Sequence, residues 1–304
     1  MQTDPQLSAA IAAVPAWVGR RIVATPIPAA ITNRNFRVDV DDESFVVRLA
    51  GVETHLLGID RDAEHAAGRA AAAAGVGPEI YAYLPHLGCL ITRFVRGASI
   101  PTQDLEREQI LASVVGSIRA FHACPPVPGT FAVFRLCESY ARLAAGRGVA
   151  VPKEWDEART LGRRIESAMS QAPATPVPCH NDLLNANFLR DGARTWIVDY
   201  EYAGMGDPFF DLGNLSINNG LSEAAQDMLL RQYFGAPRDV HRARLALMRI
   251  VSDMREAMWG VLQQAISTLD FDFADYTERH LGRLLRNARD PRFRDWLEDA
   301  GKAV

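Results

Sequence analysis

The chain has 304 residues, 48% hydrophobic and 23% charged, with a formal net charge of −4 and a pI near 6.0. That balance is ordinary for a soluble globular protein, and at roughly 150 residues per domain the length predicts two lobes rather than one core. A net negative charge offers no general attraction to nucleic acid or anionic lipid, so polyanion binding is disfavoured. In chain order, the opening MQTDPQLSAAIAAVPAWVGRR has Asp4 where a secretory leader would carry positive charge, and Pro5 and Pro15 interrupt its apolar character. Residues 35–40 and 44–49 are β-type runs around Asp41, Asp42 and Glu43, which predicts a hairpin; residues 79–84 and 90–94 predict a second around Pro85 to Gly88. Between them DRDAEHAAGRAAAAAG favours helix by its alanine content, with Gly75 placed to end it. The first 95 residues are therefore expected as a small sheet with one helix across it.

After RGASIPT the pattern becomes helical. Apolar residues at 111, 114, 115, 118 and 121 fall on one helix face, the segment at 240–267 is a long amphipathic pattern, and Leu281, Leu284, Leu285 and Ala288 share another face. The Pro-rich stretches 125–128 and 173–178 are expected as loops. No run of about 18 uncharged apolar residues occurs, so no membrane-spanning segment is expected. Cys89, Cys124, Cys137 and Cys179 form no CxxC pair, which fits reduced thiols and a cytoplasmic address better than a zinc site or a disulfide framework.

The stretch CHNDLLNANFL, residues 179–189, sets a histidine, an acid and three amides among leucines. Burying such groups without partners costs free energy, so the pattern points to a loop built to hold a proton acceptor and a metal ion. Residues 187–189 and 195–198 are β-like and separated by an Asp-Gly turn signal. Pairing about Ala193 would set Asn187 opposite Asp199, with Asp182 on the loop leading in. Two facing oxygen donors and a nearby free carboxylate suit Mg2+ in phosphate chemistry, because Mg2+ takes few protein oxygens and keeps positions for phosphate.

These residues, His180-Asn181-Asp182, Asn187 and IVDYEY at 197–202, resemble the signature of the choline/ethanolamine kinase and aminoglycoside phosphotransferase families, relatives of protein kinases. AGMGDPFFDLGN, ITNRNFRV, FVVRLAG and the helix after it extend the likeness over roughly residues 28–280. The resemblance implies an α+β, bilobal, protein-kinase-like fold. Its small antiparallel-sheet lobe with one helix would span residues 1–96 and bind nucleotide. The larger, mostly helical lobe would span 97–304 and carry catalysis and acceptor binding.

Carried over by position, the resemblance makes Asp182 the base for the acceptor hydroxyl, His180 a loop-positioning residue, and Asn187 and Asp199 the ligands of Mg2+, with Glu201 on a second metal or its water. Arg48, in place of the lysine of protein kinases, would pair with Glu64 and with phosphate; a guanidinium forks onto two oxygens and stays charged. No GxGxxG loop is present, so Thr32, Asn33, Arg34 and Asn35 would cover the phosphates of ATP. Arg93, Phe94 and Val95 would form the hinge that reads adenine through its main chain.

For the acceptor, Tyr202 and Trp259 would offer aromatic faces to an amino alcohol, with Glu256 or Asp211 supplying negative charge, although Glu256 stands where animal choline kinases carry a second tryptophan. Asp211 is equally placed to brace the catalytic loop. Choline or ethanolamine leads. An aminoglycoside, thiamine or another small alcohol, or a catalytically silent kinase-like binding module, stands beside them, and a metallophosphatase is weaker for want of further acid and histidine clusters. The resemblance leaves the metal count, the donor nucleotide and the oligomeric state open. Arg279, Arg283, Arg286 and Arg289 are interleaved with acids and are expected as a solvated helix face.

Overall fold

The sheet comes first and sets everything that follows. In the computed structural model, which describes residues 4–28 and 32–304, five antiparallel strands run in the order β1-β2-β3-β5-β4. They are β1 (Ile22–Ile27), β2 (Asn33–Val40), β3 (Glu43–Ala50), β4 (Ile80–Leu84) and β5 (Cys89–Arg93), preceded by helix α1 (Pro5–Ala12) and joined between β3 and β4 by α2 (Arg61–Ala73). Both expected hairpins form, and the expected helix does too: Asp60 caps α2 through the Asp62 and Ala63 amides, and Gly75 ends it at φ +74. In β3, alternation sends Phe45, Val47 and Leu49 to one face, where α1 and Trp17 cover them, and turns Arg48 to the other.

Neither α1 nor β1 was expected. Asp4 accepts from the Gln6 and Leu7 amides, and Pro5 sits in the first turn, where its missing N–H costs nothing. The proline that interrupts an apolar run is thus a helix start. Ile31, part of the expected nucleotide loop, lies outside the described residues.

The helical part comprises α3 (Glu108–His122), α4 (Val133–Gly146), α5 (Trp155–Met169), α6 (Pro208–Asn218), α7 (Glu223–Phe234), α8 (Asp239–Ile266), α9 (Phe273–Ala288) and α10 (Phe293–Ala300), with short strands β6 (Ala98–Ser99), β7 (Val177–Cys179), β8 (Phe188–Asp191), β9 (Arg194–Ile197) and β10 (Gly204–Gly206). The α3 residues Leu111, Val114, Val115, Ile118 and Phe121 are all buried, as their spacing predicts. The stretch 173–178 is not wholly loop: Val177 and Pro178 open β7, which pairs with β10 and carries the chain into the polar loop. Helix α8 is the central post, packed by α6, α4, α9 and α10. Gly213 lets α6 approach it closely, since a Cβ there would lie 2.7 Å from the Met248 carbonyl carbon. Among the described residues no helix is long and apolar enough to cross a membrane.

Candidate active site

The polar loop is held from below by α6. Asp211 is fully buried and accepts from the His180 amide at 2.8 Å, the Asn181 amide at 2.6 Å and the His122 ring at 2.9 Å. Asn214 accepts from the Leu183 amide at 2.6 Å, and Asn219, just past the helix, accepts from Asn185 and donates to the Leu183 carbonyl. These groups fix a backbone that includes Asn181 at φ +67, a strained conformation for a non-glycine residue. Asp211, expected beside the substrate as an alternative, therefore has no carboxylate edge to offer a ligand. Its position relative to Asn214 is a helical i, i+3 spacing, a signal the polar-loop motif alone does not contain.

His180 locks the loop above. Its Nδ1 accepts from the Asp182 amide at 3.2 Å, so Nε2 carries the proton and donates to the Val198 carbonyl at 3.0 Å. Burial holds its pKa below the usual histidine range, consistent with a neutral ring. The Asp182 carboxylate, 16% exposed, is raised by burial and by Glu256, Asp199 and Glu201, while Arg255 opposes the rise. Asn187 donates Nδ2 to the Asp182 carbonyl at 2.9 Å and lies 3.5 Å from its carboxylate.

Strands β8 and β9 form the expected hairpin in a different register. Asp191 pairs with Arg194 and Phe188 with Ile197, so the turn is the two residues Gly192 and Ala193, and the Asn187 carbonyl receives the Val198 amide. Asn187 is thus opposite Val198, not Asp199. A shift of one would ordinarily put the two side chains on opposite faces. Asn187 instead belongs to a 3₁₀ turn before β8, and Asp199 follows β9 at φ +70, which swings both to a single cavity of about 570 Å³. Arg48, Glu64, Asn35 and the Arg93 to Val95 segment line the same space.

Arg48 bridges the two halves. It pairs with Glu64 at 2.6 Å and with Asp199. Burial works against its charge, and Asp199, Glu64 and Glu201 outweigh that cost, raising its pKa. Glu201, expected near a second metal, has its carboxylate taken up elsewhere: Thr32 donates at 2.6 Å, Asn33 at 2.8 Å, and Arg61 lies 3.4 Å away. Thr32 and Asn33 thus fold onto Glu201 rather than the cavity wall, while Arg34 reaches outward to Asp4. Arg61, which also pairs with Glu64 at 2.7 Å, was missed by the sequence reading; its only local trace is the i, i+3 spacing to Glu64 at the start of α2. The Arg93 side chain lies over Phe45 and Tyr81 on the far side of the sheet, so only its main chain can serve the cavity.

On α8, Trp259 donates Nε1 to the Tyr202 hydroxyl at 3.0 Å, and Glu256 accepts from Tyr276 at 2.7 Å. Arg255, also missed, is buried between them. Arg283 and His280 are not merely solvated, because both pair with the fully buried Asp253 of α8. The arrangement brings together a partly exposed carboxylate, Asp182, a guanidinium, Arg48, and an amide and an acid, Asn187 and Asp199, that face one cavity.

Comparison with known proteins bears on this arrangement. Residues 23–247 match the phosphotransferase enzyme family. A crystal structure of a choline/ethanolamine kinase family protein from Mesorhizobium loti superposes with a TM-score of 0.85 at 29% identity, covering 97% of this chain and 98% of that one. Protein LicA of Haemophilus influenzae is 24% identical over 83% of this chain and 96% of its own length, and mouse ethanolamine kinase 2 is 24% identical over 86% and 75%.

Proposed function

The chain belongs to the phosphotransferase enzyme family, and from that premise we propose that it is an ATP-dependent kinase that phosphorylates the hydroxyl of an amino alcohol of the choline or ethanolamine type. The observation that carries this reading is the convergence of Arg48, Asn187 and Asp199 on one cavity between the sheet and the helical lobe, with Asp182 in contact with Asn187. The relatives' names supply the acceptor class. We place the division between the lobes near residue 96, with the nucleotide between them.

The site can accommodate Mg2+: Asn187 turns its Nδ2 to Asp182, which leaves its oxygen for another partner, and Asp199 is 27% exposed at the cavity. Asn187 and Asp199 would hold the ion, which when bound neutralises charge on the phosphate oxygens. Asp182 accepts the proton of the acceptor hydroxyl as the hydroxyl oxygen bonds to the γ-phosphorus and the bond to the β,γ-bridging oxygen breaks, releasing ADP, a role worth about 10²- to 10⁴-fold. Arg48 exchanges Asp199 for phosphate oxygens while Glu64 keeps the guanidinium aimed.

A coupled assay for ADP release, with ATP, Mg2+ and a panel of ethanolamine, choline, thiamine and an aminoglycoside, tests the reading. Turnover of an amino alcohol that Asp182→Asn abolishes, with nucleotide affinity retained, supports it. Nucleotide binding without turnover of any alcohol would identify a silent binding module instead.

A further inference from the structure

The acceptor side of the site contains a cation of its own. Arg255 of α8 is 2% exposed and lies with its guanidinium carbon 4.3 Å from the centre of the Tyr202 ring. Its Nη1 donates to Glu256 at 2.8 Å and reaches Asp182 at 3.5 Å, while Nε and Nη2 find no hydrogen-bond partner among the described residues. A guanidinium against an aromatic face occupies the position that a ligand cation would otherwise use. The neighbouring rings are engaged as well. Trp259 meets Phe273 and Tyr276 edge to face, and Tyr276 packs against His280 with ring centres 4.4 Å apart.

Asp182 and Glu256 set carboxyl oxygens beside Arg255, at 3.5 and 2.8 Å from its Nη1, where they can accept hydrogen bonds from an ammonium. A primary ammonium can satisfy carboxylate oxygens with its own N–H donors. A trimethylammonium has none and depends on aromatic faces, and Arg255 already covers that of Tyr202.

We infer that Arg255 is a specificity-determining residue that directs the acceptor pocket toward primary-ammonium alcohols and against quaternary ones. The inference rests on the kinase reading above and sharpens it. Mutating Arg255 opens the face of Tyr202 and returns it to the ligand.

The test uses the full chain and the graded series ethanolamine, N-methylethanolamine, N,N-dimethylethanolamine and choline. Turnover is followed by ADP release, and binding of each alcohol without nucleotide by calorimetry. For the wild type kcat/KM should fall with each methyl, by about tenfold or more across the series. Arg255→Gln, with folding verified by its melting curve, should bring the ethanolamine-to-choline ratio near unity, chiefly through a lower KM for choline. Arg255→Lys keeps the charge without the flat fork and should fall between. If Arg255→Gln does not fold, the double variant R255Q/E256Q, which removes both charges, takes its place. Equal wild-type values for ethanolamine and choline overturn the inference, as does an unchanged ratio in a folded variant. If no alcohol is phosphorylated while binding still ranks by methylation, the kinase reading fails and the role of Arg255 stands; no ranking in either measurement overturns it.

Discussion

The loop at 180–187 and the Arg48 side of the cavity are built from opposite kinds of bond. The loop at 180–187 is pinned by the buried Asp211, Asn214 and Asn219, whose side chains bond main-chain groups. The Arg48 side is a web of side-chain ion pairs, Arg48 with Glu64 and Asp199, Arg61 with Glu64 and Glu201, at the border of an open cavity. Main-chain bonds made by short side chains define one geometry. Ion pairs between long side chains can trade partners, so on the proposed reading this side would exchange its internal contacts for a triphosphate and a metal, while Asp182 stays where α6 holds the loop.

Measurements that separate stability from catalysis would break or sharpen this contrast. The largest expected effect is on chemistry. Asp182→Asn should lower kcat by about 10²- to 10⁴-fold with nearly unchanged unfolding free energy, read by assay and urea melts. Next comes the brace. Asp211→Ala strips partners from two buried amides and His122 and should cost about 3 kcal/mol or more of stability by urea denaturation, whereas Arg48→Ala should mainly raise the KM for ATP. Equal stability losses for these two variants would erase the distinction. Asn214→Ala, which frees the Leu183 amide and leaves Ser252 without its donor, should cost about 1–3 kcal/mol by the same melts.

The smallest effect is with pH. Because burial keeps the folded pKa of His180 below its unfolded value of about 6.5, the unfolded chain binds a proton that the folded one refuses. Its contribution is complete above about pH 6.5 and declines as pH falls toward the folded value, by at most about 1.4 kcal/mol per pH unit. The difference between wild-type and His180→Asn stability curves should show this slope; parallel curves would mean that the folded ring takes up its proton as readily as the unfolded one.

Local sequence determined the parts that short-range physics governs. Alternation in β3 turned Arg48 away from Phe45, Val47 and Leu49. Asp60, the alanines and Gly75 specified α2, and the polar loop announced itself by the cost of burying so many amides unpaired. Tertiary structure decided what depends on partners far along the chain. The β8–β9 register moved by one residue because the left-handed Gly192 makes a two-residue turn, and the Asn187–Asp199 convergence survived only through backbone turns outside the paired strands. Asp211 became a brace because α6 packs under the loop, and Thr32 and Asn33 met Glu201 across 169 and 168 positions. That Arg255 lies against Tyr202 and beside Asp182 could not be read from a helical pattern that marks only which residues share a face. A side chain's partners follow from the packing of whole elements, and beyond a hairpin sequence spacing does not say which groups of distant elements will meet.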